Sequence, residues 1–258
     1  DRYEPTITSY DSDAALNEAG DPTPKYHAFR RVVSRYTPLP DIDVPCPSAK
    51  AAYGRVELTG QAKLFDALDA LSSPLERPTP DPMELVGQDY GFILYRTTVR
   101  GPREPLPVVL HEVHDRAQVF VDGEFRGVIE RSGPQEDLVL GFEPGEHALD
   151  VLVENMGRIN YGPLLHDRKG ITRGVRLGNQ FLYGWTIWPL PLDDLTGLSF
   201  RPRADLSGPA FLHGTFRVDD ARDTFLATPG WSKGACFLNG FNLGRYWERG
   251  PQRTLYVP

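Results

Sequence analysis

Six histidines, two cysteines and four tryptophans are the side chains with the most chemistry to offer in this 258-residue chain. His111, His114 and Asp115 stand close together, as metal ligands often do. They flank a predicted strand with no fourth ligand at a fixed spacing, so structural hydrogen bonding is expected of them and no metal is. His166-Asp167 reads as an ordinary loop pair. Cys46 and Cys236 lie far apart without metal spacing; two free thiols are expected, with a single disulfide as the alternative. Trp185, Trp188, Trp231 and Trp247 could stack on sugar rings, but such residues more often fill a sandwich core or a domain joint. The run Trp185-Thr186-Ile187-Trp188 alternates and meets Pro189, which suits a terminal strand or such a joint. Asn155, Arg158, Asn160 and Tyr161 follow a predicted strand and read as a structured interdomain loop.

The chain that must position these residues is 40% hydrophobic and 11% aromatic, which excludes disorder. Its length suits one large domain or two ordinary ones. No apolar run approaches the ~18 residues of a membrane helix. A net charge of −7 opposes nucleic acid and anionic membranes, and leaves a neutral partner such as a sugar unopposed. The opening residues DRYEPTITSYDSDAAL hold no readable targeting signal and read as the middle of a longer protein. The compartment stays unknown; abundant Arg and scarce Cys lean towards the cytoplasm.

Asp21, Pro22 and Thr23 offer a helix N-cap, after which Tyr26, Phe29, Val32, Val33 and Tyr36 recur at helical spacing until Pro38. One amphipathic helix cannot bury its own stripe, so it belongs to a larger body. Pro38, Pro40, Pro45 and Pro47 then mark a stiff linker. Beyond it the period becomes two. Short strands are expected at Gly54–Thr59, Gly91–Thr98, Ala117–Val121, Ala148–Val153, Phe211–Val218, Thr224–Ala227 and Cys236–Leu238, with a short helix at Leu64–Leu71.

An internal repeat divides these strands between two sandwiches. Val119-Phe120-Val121-Asp122-Gly123 is followed by Gly127, and Cys236-Phe237-Leu238-Asn239-Gly240 by Gly244. Gly123 to Gly240 and Gly127 to Gly244 are each 117 positions. Asp-Gly and Asn-Gly tolerate positive φ at both positions of a tight hairpin turn. The counterpart of Ala148–Val153 in the second copy would fall beyond Pro258, so the second sandwich is expected to lack its final strands.

Five separated stretches now carry a resemblance: YGFILYRTT (90–98), VHDRAQV (113–119), LVENMGRINY (152–161), WTIWPL (185–190) and GWSKGACFLNGFNLGRYW (230–247). They resemble the non-catalytic β-domains of family 35 β-galactosidases. TSYDSD (8–13) with Glu18-Ala19-Gly20-Asp21 resembles the loop after the last strand of that family's barrel. The resemblance implies a mainly β chain: two jelly-roll (galactose-binding-like) β-sandwiches preceded by the last loop and helix of a (β/α)8 barrel that is otherwise absent. The expected divisions are 1–37 for the barrel remnant, 38–79 for a linker whose strand joins a sandwich, 80–192 for the first sandwich, 193–204 for a linker, and 205–258 for the second.

Such enzymes hydrolyse terminal β-galactose with retention, using two glutamates about 5 Å apart. In the family these lie in N-E-Y-G-type and T-E-x-W-type motifs, and neither occurs here. No catalytic residue, metal or cofactor is therefore assigned. The family's loop usually reads S-Y-D-Y-D, and its second Tyr bonds the sugar; here Ser12 occupies that place and Tyr10 is the nearest substitute. Tyr10 and Ser12 are the expected substrate contacts. The expected role is a non-catalytic part of a β-galactosidase that braces the barrel and shapes the rim of its site, with galactoside as partner through the barrel. The alternatives are a stand-alone lectin-like tandem sandwich and a structural module. Neither nucleic acid nor membrane is expected as a partner, whereas self-association through the exposed helix is.

Overall fold

A computed structural model describes residues 13–44, 46–133, 138–160, 162–204, 206–250 and 253–258. In chain order the elements begin with helix α1 (Pro24–Val33), strand β1 (Gly60–Lys63), one-turn helix α2 (Leu68–Leu71) and β2 (Leu75–Arg77). Strands β3 (Phe92–His114), β4 (Arg116–Val121), β5 (Glu124–Glu130) and β6 (Leu138–Glu154) follow. Next come β7 (Gly170–Leu177), β8 (Gln180–Phe181), β9 (Trp185–Leu190), β10 (Arg201–Pro202) and β11 (Ala210–His213). The chain closes with β12 (Thr224–Ala227), β13 (Lys233–Leu238), β14 (Phe241–Trp247) and β15 (Thr254–Val257). Among the described residues two compact units result: Glu57–Gly214, and residues 13–56 joined by Thr215–Pro258.

The first unit is built on an antiparallel sheet ordered β2-β9-β3-β6-β4-β5, with β7 pairing the far half of β3. Strand β3 is long enough to serve two neighbours in turn. Phe92–Arg96 pairs with β9 and Val108–His114 with β7, while β6 runs along its other edge. Period-two alternation sends Ile93, Tyr95, Val119, Val151, Val153, Trp185 and Ile187 to one face, where they meet Val108, Leu110, Ile171, Val175 and Leu177 from the bent half. That is a sandwich-like core, and each large side chain in it contributes roughly 1.5–3 kcal/mol. The opposite face carries Leu94, Phe120, Leu152, Trp188 and Leu190, covered by Leu64, Leu68, Phe65 and Phe211. Burial on both faces explains why these strands are nearly continuously apolar.

Two expectations need correction here. Gly54–Thr59 forms no strand; the ladder begins at Gly60, where β1 pairs with β10 and β11 in the first unit. A Cβ at Gly60 would stand 3.2 Å from that of Phe200, the residue before β10, tight enough that the neighbour would have to shift slightly. Phe211–Val218 likewise stops being strand after His213. Alternation alone cannot say which residues find a partner.

In the second unit β12 pairs with β15 and β13 with β14. The repeat read from the sequence is visible in the ladders. Val119 pairs with Gly127 and Cys236 with Gly244; a bulge then follows between Val119 and Phe120, and between Cys236 and Phe237. Both turns use positive φ at their two central residues: 52° and 79° at Asp122-Gly123, 51° and 82° at Asn239-Gly240. Thr254–Val257 supplies an edge to β12 within the described chain.

Of the three residues offered for the cap of helix α1, the structure uses the last. Thr23 is the N-cap residue and Pro24 the first helical one, and Asp21 is freed for another partner. The helix buries none of its residues: Phe29 is 53%, Val32 49% and Val33 43% exposed. Among the described residues no helix is long and apolar enough to cross a membrane.

Candidate functional site

Tyr10 and Ser12 lie outside the described residues, which begin at Asp13. From there the chain makes a tight loop back to α1. The Thr23 hydroxyl donates to the carbonyls of Ala14 and Ala15 at 2.9 Å, and Leu16 bridges to Pro22. The Asn17 side-chain oxygen accepts from the amides of Ala19 and Asp21 at 3.0 and 2.9 Å. Lys25 closes the loop's mouth, reaching the Asp13 carbonyl at 2.6 Å and its carboxylate at 3.0 Å.

Asp21, at the end of this loop, is only 9% exposed. Its carboxylate accepts from Lys50 Nζ at 2.5 Å, the Ser48 amide at 2.9 Å and Asn17 at 3.3 Å. The Lys50 bond and then the Ser48 amide hold its pKa down to about 2. Ser48 also donates its hydroxyl to Asp223 at 2.5 Å, and Tyr256 donates to the same oxygen at 2.9 Å. These bonds hold Asp223 below the usual carboxylate range and raise the Tyr256 phenol.

The first unit holds a second charged cluster, largely buried. Asp115 sits between β3 and β4, where its amide bonds Glu154 and its carbonyl accepts from Arg131. Lys169 Nζ lies 2.9 and 3.0 Å from the two Asp115 oxygens and 2.9 Å from Asp167. Arg131 reaches Asp167 at 2.7 Å and Asp115 at 3.3 Å, and the Met156 amide donates to Asp115 at 2.8 Å. Burial alone would raise Asp167, but Arg131 and Lys169 outweigh it and keep the carboxyl below its ordinary value. Beside the cluster opens a cleft of about 630 Å³, lined by His114, Glu130, Arg131, Leu164, His166 and Asp167 among others.

Of the sequence candidates, His114 and Asp115 meet Asp167 at this cluster, His114 Nδ1 lying 3.4 Å from the Asp167 carboxylate, and the others scatter. His114 turns Nδ1 to the Arg168 carbonyl at 2.6 Å, Asp115 is taken by Lys169, and His111 stacks obliquely on Phe181. No group of three His, Cys, Asp or Glu among the described residues could hold a metal ion. Trp185 and Trp188 are buried, one in each core of the first unit. Trp231 meets Tyr246 edge-on, and Trp247 lies between Lys233 and Arg249, at 4.4 and 5.0 Å from the ring. Asn155 and Arg158 both bond the Asp89 carbonyl, and Arg158 adds Glu84, so the start of that loop is pinned to its own unit. Asn160 is exposed, and Tyr161 lies outside the described residues. Cys46 and Cys236 are free thiols, and burial pushes Cys236 up to about 11.

Chemically, carboxylates share a partner at Asp115 with Asp167 and at Asp21 with Asp223. Glycoside hydrolysis needs one carboxyl kept protonated beside one that is ionised. Here Asp21, Asp167 and Asp223 are all shifted toward the ionised form. These clusters build structure.

Family models match the chain in three successive stretches. Residues 1–36 match glycosyl hydrolases family 35, 80–191 the first all-beta domain of beta-galactosidase, and 209–258 its galactose-binding domain. The chain belongs to glycosyl hydrolase family 35. It is 43% identical to a beta-galactosidase of Xanthomonas manihotis and 44% identical to a beta-galactosidase-1-like protein of Mus musculus, over all of its own length. Against a Homo sapiens beta-galactosidase the identity is 41% over 99% of the chain. In each case it spans 42% of the relative, about two fifths of that protein's length.

For this family 35 chain, sequence reasoning missed Asp21, Lys50 and Asp223 as one cluster, and Lys169 altogether. Asp21 carried a misleading signal, since Asp before Pro and Thr reads as a helix cap. Lys169 carried none, because a lysine in a polar loop stretch is ordinarily solvated.

Proposed function

We propose that this chain is the non-catalytic β-domain region of a retaining β-galactosidase acting on terminal β-D-galactose. Its part is to brace the catalytic barrel and shape the rim of the site, with Tyr10 and Ser12 lining the galactose subsite. The ranges 80–192 and 205–258 are taken as its two jelly-roll sandwiches, and 1–37 as the end of the barrel. The observation that carries this reading is the order of the three matches: a family 35 segment, the first all-beta domain and the galactose-binding domain follow one another along one chain. The carboxylate clusters described above support the non-catalytic assignment.

The test uses an aryl β-galactoside with the chain alone and with the full-length protein. The full-length protein turns it over with retained anomeric configuration, and the pure chain does not exceed a mock preparation. Turnover by the chain alone overturns the reading. Galactose binding by the chain alone, with no activity at full length, favours the stand-alone carbohydrate-binding protein.

A further inference from the structure

Arg131 and Asp167, two members of the buried quartet, also line the cleft of about 630 Å³ in the first unit. Lys169 and Asp115 hold them in place, Lys169 at 2.9 Å from Asp167 and Asp115 at 3.3 Å from Arg131. A buried ion cluster adds little net stability over apolar side chains of equal volume, so geometry is the property it can contribute. Here the geometry it fixes is a cleft wall. His114 belongs to the same lining, its Nδ1 donating to the Arg168 carbonyl at 2.6 Å. That bond assigns the ring proton to Nδ1 and leaves Nε2 of the neutral ring as an acceptor. Strand β3 shifts register at this place, between His111 and Val113. Glu112, inside the shift, sits at φ 56°, a left-handed value that a non-glycine residue keeps only where its surroundings hold it. Thr172 at 3.2 Å and Arg173 at 2.9 Å hold its carboxylate, and Glu112 and Thr172 both line the cleft. Such bulges re-aim side chains beside binding sites.

We propose that this cleft binds a neutral saccharide of about one to two pyranose rings. Its volume falls within the roughly 300–1,000 Å³ of small-ligand pockets. Its charges disfavour the ionic alternatives. Glu112, Glu130 and Asp167 oppose an anion, and Arg131 and Arg168 oppose a cation. A neutral polyol meets neither obstacle, and each of its hydroxyls both donates and accepts. Glu112 and His114 Nε2 supply acceptors, while Arg168 and His166, both exposed, supply donors at the rim. A pyranose also presents a C–H face, for which half-buried Ile129 and exposed Leu164 are the apolar surface. The quartet, the Arg168 carbonyl and Thr172 hold the polar lining before a ligand arrives, so little ordering cost falls on binding. The inference stands whether or not the intact protein is a β-galactosidase.

The experiment uses the 258-residue chain, isotope-labelled, with backbone amide shifts locating each ligand. Methyl β-galactoside, methyl α-glucoside, methyl α-mannoside and lactose are the neutral probes, and glucuronate and glucosamine the charged ones. At least one neutral probe should bind with a Kd of about 0.1–10 mM and move amides at Glu112, His114, Ile129 and Arg168. Leu164→Ala and Arg168→Ala, both at exposed positions, should each weaken that binding about three- to tenfold. His114→Phe, which removes the acceptor, should abolish it; if that variant does not fold, the two exposed ones carry the test. Neutral probes that move no cleft amide at about 50 mM overturn the inference. So do shifts confined to the second unit, binding that both exposed variants leave unchanged, or a stronger response to glucuronate or glucosamine than to every neutral probe. The readout is binding, so its outcome is separate from turnover at full length.

Discussion

Lys169 and Asp115 form a bidentate ion pair, at 2.9 and 3.0 Å, in which neither side chain is exposed to solvent. Arg131 and Asp167 complete a quartet of two cations and two anions, so its formal charge cancels. Breaking such a group is costlier than its net worth, because the two carboxylates left behind are buried with Arg131 as the one cation of the quartet between them. Lys169→Met should destabilise the chain by about 3–5 kcal/mol in chemical denaturation. The double change Lys169→Met with Asp115→Asn should cost less than the sum of the two single changes, which a double-mutant cycle reads directly.

The two repeat hairpins predict a matched pair of backbone effects. A Cβ added at Gly123 or Gly240 meets nothing within 4 Å, so only the positive φ of 79° or 82° opposes it. Gly123→Ala and Gly240→Ala should each cost roughly 1–2 kcal/mol, and the Asn variants less, because Asn tolerates this region. Equal effects of Ala and Asn in thermal melts would refute the turn assignment.

His147 makes a bond with each ring nitrogen, Nδ1 to the Asp122 carboxylate at 2.7 Å and Nε2 to the Glu143 carbonyl at 2.9 Å. Two acceptors favour the doubly protonated ring, and the Asp122 bond above all raises His147 over its ordinary 6.5. The same bond lowers Asp122 below its ordinary 3.8, with Arg126 assisting. A raised histidine stabilises fully below its unfolded value and loses that contribution as pH rises through the folded one. A lowered aspartate stabilises fully above its unfolded value and loses the contribution as pH falls through the folded one. The pair is therefore complete between about pH 4 and 6.5. The melting temperature of the chain should decline as pH rises above that window, and His147→Gln should flatten the decline. An NMR titration placing His147 at or below the free imidazole value would contradict this.

Helix α1 leaves Phe29, Val32 and Val33 each more than two fifths exposed, and Tyr36 85% exposed. Contiguous apolar surface of this kind seeks a cover. We expect the isolated chain to self-associate through it, and sedimentation velocity to show mass rising with concentration. Phe29→Ser with Val32→Ser should abolish the rise without lowering the melting temperature, since neither side chain is buried. A wild-type chain that stays monomeric throughout refutes the expectation.

The features legible in the sequence are those set by neighbours in the chain. Asp122-Gly123 and Asn239-Gly240 specify their turns through φ preferences that need no tertiary partner. The strands around them inherit register and bulge from those turns, which is why a 117-residue spacing in the sequence reappears as a 117-residue spacing in the ladders. Helix α1 follows from apolar spacing and the cap signal at Asp21, Pro22 and Thr23, and the family resemblance follows from motifs that are themselves local. What only the tertiary structure decided are the meetings of residues far apart. Strand β1 begins at Gly60 because β10 and β11 offer partners there, although Gly54–Thr59 alternates equally well. Asp21 turns from its helix to Lys50, and Lys169 enters the core because Asp115, 54 positions away, is already buried there. Charge pairing across such separations leaves no periodicity in a sequence, since either partner alone would be solvated, and only the assembled fold makes burial of both cheaper than exposure of one.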